Sequence, residues 1–148
     1  MSLISSLLPL DNVVINLECS SKKSAFEEIG RLFESRHKLS GKLVLDSLMA
    51  REALGSTGLG HGIAIPHGRI KGLKEALTAL VRLTEPIPFD APDNKPVQLL
   101  FVLLVPEHAT DLHLQILGEL AQKFGDKSLR EQLMQVQDVA RLHQIITQ

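Results

Sequence analysis

Leu99-Leu100-Phe101-Val102-Leu103-Leu104-Val105 is apolar at every position. A strand with one wet face alternates apolar and polar side chains, so an unbroken run of this length predicts a strand covered on both faces. Just upstream, Thr78 to Leu83 is a second run rich in β-formers. Between the two, Glu85 to Pro96 carries four prolines and the turn signal Pro92-Asp93-Asn94, which predicts a loop with room for an edge strand through Phe89. Downstream, Thr110 or Asp111 caps a helix whose inner stripe is Leu112, Ile116, Leu117, Leu120 and Phe124, and two shorter helices follow near 127–134 and 138–146, the last capped by Asp138.

The N-terminal half supplies the other covering layer. Ser20 and Ser21 precede Ala25, Phe26, Ile29, Leu32 and Phe33 at helical spacing, predicting a capped amphipathic helix over about residues 21–36. Gly41 to Ala53 reads as a second helix with Val44 and Leu48 inward. From Gly55 to Gly68 there are five glycines in fourteen residues, which marks irregular backbone. Within it, Ile63-Ala64-Ile65 reads as a short strand that Pro66 keeps extended. The expected fold is α/β: one three-layer domain over residues 1–148, a small mixed β-sheet with helices on both faces, and residues 1–10 as an N-terminal helix or arm.

Composition removes several classes of function. The 148 residues are 44% hydrophobic, ample for one core, and Lys plus Arg at 16 against Asp plus Glu at 17 gives a net charge of −1. A nucleic-acid binder would carry a basic excess, and a base-stacking surface would need aromatics; here there is no Trp, no Tyr and five Phe. Cys19 is the single cysteine, which excludes an internal disulfide and fits a reducing cytoplasm. The first ten residues lack a basic n-region and the length to span a bilayer, so neither a signal peptide nor direct membrane insertion is expected. Six histidines raise the question of a metal. Yet no two stand at i, i+4 around a Glu, and no Cys pairs exist, so no metal is expected.

Three polar residues break the core pattern. Arg51 shares the inner face of Val44 and Leu48 in a last helical turn. It either awaits an anion or complements the helix dipole with its stem directed outward. His113 precedes Ile116 by three residues and Leu117 by four, so it faces inward in a first helical turn. It either serves an anion near the exposed amides or is a core histidine satisfied by a carbonyl. His67 follows a strand, held by Pro66 and relieved by Gly68; strand ends in α/β sheets are common ligand sites, though a plain turn histidine would look the same. His37, His108 and His143 read as solvated surface, and His61, six residues before His67, is a weaker candidate for lining the same site.

The run Arg51-Glu-Ala-Leu-Gly-Ser-Thr-Gly-Leu-Gly-His-Gly-Ile-Ala-Ile-Pro-His67-Gly-Arg resembles the active-site signature of the IIA domains of the mannitol/fructose class in the bacterial phosphotransferase system, and within that class its nitrogen-regulatory branch. The resemblance covers nearly the whole chain, including Pro86-Ile-Pro-Phe-Asp-Ala-Pro-Asp-Asn94, Leu99 to Pro106 and the later His113-Leu114. Relatives usually carry Asn at the position of His61 and often Lys at that of Arg69; neither difference removes a catalytic group. The resemblance implies that His67 is phosphorylated, normally on Nε2, and that Arg51 and His113 are its helpers, the same three residues that periodicity finds out of place.

Phosphoryl transfer demands positioning and charge stabilisation more than covalent help. On this view neutral His67 is the acceptor, and a backbone carbonyl of the Gly-rich segment fixes its tautomer. Arg51 neutralises phosphoryl oxygens, and His113 donates a hydrogen bond. Ser56, Thr57 and the Gly68 backbone are further phosphate contacts. The chemistry is that of a phosphotransfer protein with a covalent phosphohistidine intermediate, transferase chemistry at most, without a cofactor. The implied donor is a phosphorylated histidine carrier protein, docking on an apolar collar of Leu59, Ile63 and Ile70. The implied downstream partners are regulatory proteins of potassium transport or sensor kinases, bound according to phosphorylation state. The competing readings are a sugar-specific IIA feeding a separate IIB/IIC permease, a phosphatase or phosphodiesterase with His67 as nucleophile, and an anion-binding module that is never phosphorylated.

Overall fold

The computed structural model describes residues 3–109 and 111–148. In chain order these form α1 (Leu3–Leu7), a 3-10 turn at Leu10–Asn12, β1 (Val13–Leu17), α2 (Lys22–His37), α3 (Gly41–Glu52), β2 (Gly58–Gly60), β3 (Ile63–Ala64), β4 (His67–Ile70), β5 (Leu77–Ile87), β6 (Val97–Pro106), α4 (Asp111–Phe124), α5 (Lys127–Gln135) and α6 (Val139–Thr147). Among the described residues no helix is long and apolar enough to cross a membrane.

The all-apolar run forms β6, the spine of a mixed six-stranded sheet ordered β1-β5-β6-β3-β2, with β4 also paired to β6. Alternate side chains of β6 serve opposite layers. Leu99, Phe101, Leu103 and Val105 pack toward α1, α4, α5 and α6, while Leu100, Val102 and Leu104 pack toward α2 and α3. All seven are 0% exposed, and each side chain so buried contributes about 1.5–3 kcal/mol. The expected α/β architecture, a small mixed sheet with helices on both faces, is the architecture found.

The α2–α3 layer is set by local chemistry. Ser21 caps α2 in a reciprocal box with Ser24, and the Ser40 hydroxyl accepts from Leu43 N–H at the start of α3. The two helices touch backbone to backbone: a Cβ on Gly30 would stand 2.6 Å from the Gly41 carbonyl oxygen. In the opposite layer Asp126 caps α5 through Ser128 and Leu129 N–H. Asp138 holds the N-cap position of α6, but its side chain makes no capping bond. Thr110 lies outside the described residues; α4 begins at Asp111.

Several elements depart from the sequence reading. Val13–Leu17, to which that reading assigns nothing, forms the edge strand β1, parallel to β5 with a register shift between Val14 and Leu17. The Gly-rich segment contains β2, antiparallel to β3. β5 runs four residues beyond Leu83, past Pro86, which is tolerated because its pairing with β6 is irregular between Arg82 and Ile87. Leu112 is 39% exposed rather than part of the inner stripe of α4. Two histidines expected on solvated surface are half-buried: His37 closes α2, and His143 Nε2 lies 2.8 Å from the Leu8 carbonyl oxygen.

Candidate functional site

His67 is not at a bend beyond a strand end. It opens β4 and pairs in parallel with Leu103, in the same register that puts Ile63 opposite Leu99. β3 and β4 are thus one strand along β6, interrupted where Pro66 has no N–H to donate. The Pro66 carbonyl still accepts from Leu103 N–H at 3.0 Å. Among the described residues β4 pairs with no strand but β6, and on its other edge the Arg69 carbonyl accepts from the Ser47 hydroxyl of α3 at 3.0 Å. Along that edge runs a cleft of about 590 Å³, lined by Ser47, Arg51, His67, Gly68, Arg69 and His113 among others. The end of α3, from one layer, and the start of α4, from the other, meet there.

The structure brings Arg51, His67 and His113 together. His67 Nδ1 lies 2.8 Å from the Ile65 carbonyl oxygen and donates to it. That choice of tautomer leaves the Nε2 lone pair free, and the Arg51 Nε–H meets it at 3.2 Å. Arg51 Nη1–H is anchored on the Gly55 carbonyl at 2.8 Å. The His113 ring stands edge-on to that of His67, centroids 5.3 Å apart. Arg69 reaches from β4 to the carbonyls of Glu107 and Ala109, tying down the segment that leads into α4.

Burial lowers the His67 pKa below its ordinary value; the bond to Ile65 opposes this, the Arg51 charge adds to it, and the Glu52 charge opposes it. His113 is lowered as well, by burial first and then by His67, Arg69 and Arg51. Held below the ordinary value of about 6.5, both rings favour the neutral form at pH 7.

The remaining expected contacts are placed differently. The Ser56 hydroxyl donates to the Phe89 carbonyl at 3.0 Å, and the Thr57 hydroxyl is spent on the Glu52 carboxylate. Both hydroxyls are engaged within the loop, yet Ser56 and Thr57 line, with Arg51 and His67, a second hollow of about 280 Å³. Gly68 lines the cleft, but its bareness has a packing cause: a Cβ there would meet Ser47 Cβ at 3.2 Å and the Ser47 backbone carbon at 3.3 Å. His61 lines a separate hollow beside Phe124 and Arg130. Of the expected apolar collar, Ile63 and Ile70 are fully buried, because alternation sends them to the two cores. Leu59 is exposed at 41%, and the rim is completed by Leu54 at 85% and Leu43 at 41%. The signal for Leu54 was available: an apolar residue just after the last turn of α3, where nothing could cover it.

A mixed sheet between two helical layers thus carries an imidazole and an arginine side by side in one cleft. Residues 6–148 match the family described as phosphoenolpyruvate-dependent sugar phosphotransferase system, EIIA 2, and the chain belongs to that family. Among solved structures, the nitrogen regulatory protein IIA-Ntr of Neisseria meningitidis superposes with a TM-score of 0.92 at 53% identity, covering 98% of this chain and 99% of that one. The nitrogen regulatory protein of Klebsiella oxytoca is 41% identical over 97% of this chain and 93% of its own length. The mannitol-specific IIA of Escherichia coli, solved in complex with phosphorylated IIB, shares the fold, with a TM-score of 0.79 at 20% identity over 95% of this chain and 98% of that one. Domains of this family accept phosphate from partner proteins and pass it to others.

Proposed function

We propose that this chain accepts a phosphoryl group on Nε2 of His67 from a phosphorylated histidine carrier protein, and that its two phosphorylation states act on different regulatory targets in the cytoplasm. The observation that carries the reading is the tautomer: with the Nδ1 proton held by Ile65, the only basic nitrogen left points into an open cleft beside a guanidinium.

In the transfer step the Nε2 lone pair of His67 attacks the phosphorus. A new N–P bond forms as the N–P bond to the donor imidazole breaks, and the donor nitrogen keeps that electron pair. The Ile65 carbonyl takes up the positive character the His67 ring acquires, through the Nδ1 proton it already holds. Arg51 must leave the lone pair as phosphorus arrives, and the same N–H groups then meet phosphoryl oxygens. His113, edge-on and neutral, donates a further bond to the transferred group. Leu43, Leu54 and Leu59 offer an apolar rim for a transient partner. The added charge, about −1.5 to −2 by analogy with other phospho-residues, is enough to change which surface binds there. The nitrogen regulatory relatives favour a regulatory role over a sugar permease; potassium transport or sensor-kinase components are the targets the sequence resemblance implies.

The test is incubation with phosphoenolpyruvate and the two upstream proteins, followed by mapping of acid-labile, alkali-stable phosphate. The expected product carries one phosphate on His67. Phosphorylation of a His67→Ala variant at the normal rate ends the reading.

A further inference from the structure

Among the described residues Glu52 is the carboxylate buried against the site, its side chain 4% exposed, and the transfer step above makes no use of it. Thr57 N–H donates to Oε1 at 2.7 Å and the Thr57 hydroxyl donates to Oε2 at 2.9 Å. Its charge is balanced by Lys22, whose ammonium lies 3.5 Å away and 4.4 Å from the centre of the Phe89 ring.

Two chains of contacts leave this carboxylate and converge on the reacting nitrogen. Thr57, pinned by Glu52, accepts from Ile65 N–H through its carbonyl at 3.0 Å, and Ile65 in turn holds His67 Nδ1–H. On the other side, the Glu52–Thr57 clasp closes the loop that contains Gly55, whose N–H donates to the Glu52 carbonyl at 3.1 Å and whose own carbonyl holds Arg51. The Glu52 side chain therefore braces, through Thr57, both the segment that holds the imidazole and the loop that holds the guanidinium.

We propose that Glu52, charge-balanced by Lys22, is a positioning residue for phosphoryl transfer: through Thr57 it fixes the His67 tautomer by way of Ile65 and the Arg51 anchor by way of Gly55. The proposal rests on His67 being the acceptor. It differs from a purely structural role, in which loss of Glu52 would lower stability and leave the geometry at His67 as it is.

The test uses the full chain with phosphorylated histidine carrier protein in single-turnover kinetics. Glu52→Ala is expected to lower the maximal transfer rate about tenfold or more, with the donor concentration at half-maximal rate changed less than about twofold, because alignment and not docking is lost. Glu52→Gln, which still accepts from Thr57 N–H, is expected to recover most of the rate. Arg51→Ala combined with Glu52→Ala should lose less than the product of the two single losses. Nitrogen-15 spectra of His67 give a readout without phosphate: the Nδ1–H tautomer in wild type and Glu52→Gln, a mixture of tautomers in Glu52→Ala. Should Glu52→Ala not fold, Thr57→Val, which removes only the hydroxyl bond, must show the same changes in smaller measure. Losses that multiply, together with an unchanged tautomer, overturn the proposal. Failure of wild type to take phosphate removes the reading of His67 instead, and the tautomer measurement then still decides whether Glu52 sets the ring.

Discussion

His67 and His37 occupy two corners of the molecule that share more than they differ in. Both rings are half-buried with an N–H donor on the Nε2 lone pair, and burial lowers the pKa of each. At His37, Asn12 closes the corner. Its Nδ2 lies 2.9 Å from His37 Nε2 and donates to the Thr78 carbonyl at 2.9 Å. Its two N–H bonds are thus fully used, and the His37 lone pair is sealed by an amide that is itself 1% exposed. At His67 the lone pair meets a flexible cation beside an open cleft. Burial and a depressed pKa therefore do not single out a working histidine. What separates them is whether the group on the lone pair can move aside for another.

The sharpest way to break this contrast is to delete each ring in turn. His67→Ala should abolish phosphate incorporation, whereas His37→Ala should leave its rate within about twofold; equal losses would erase the distinction. Next in size, Arg51→Ala should slow transfer roughly 10²-fold in rapid-quench assays, as expected for a group that meets transition-state charge. Gly68→Ala should destabilise the protein by about 1–3 kcal/mol in urea titration, because its methyl would push β4 from the Ser47 backbone of α3. His37→Ala should cost about 1–3 kcal/mol in the same measurement, since it strands a buried Asn12 N–H.

The smallest effect is on pH dependence. His67, His37 and His113 all have folded pKa values below the ordinary one near about 6.5, so in that window the unfolded chain binds more protons. Stability is therefore complete above about 6.5 and is lost as pH falls from there toward the folded values. His37→Ala should flatten that loss by one histidine's share in thermal melts between pH 7 and about 5. Transfer by wild type should hold its rate as pH falls to about 6.5 and decline only below it, because the folded nucleophile resists protonation longer than a free imidazole.

Much of the layer structure is legible along the chain. The spine β6 declares itself by length and unbroken apolarity, α2 by its serine cap and 3.6-residue spacing, and α3 by the inward Val44 and Leu48, because these signals come from contacts within a turn or a pleat. The strands β1, β2 and β4 escape that reading. They are five residues or fewer, and what makes them strands is the neighbour they pair with, β5, β3 and β6 respectively. Ile63 and Ile70 illustrate the same limit: sequence proximity to His67 suggests a surface collar, while strand alternation sends both into cores.

For the site, the chain alone singled out Arg51 and His113 as polar residues on apolar stripes and His67 between Pro66 and Gly68 after a strand, since such placements are one-dimensional signals. It could not supply which carbonyl fixes the tautomer, the cleft beside β4 or the part taken by Glu52. The Ile65 carbonyl reaches His67 only because Pro66 interrupts the ladder, and Glu52 turns away from its neighbour Arg51 to clasp Thr57. Such facts are distances between groups brought together by pairing and packing, and periodicity along a chain carries no information about which ring nitrogen keeps its lone pair.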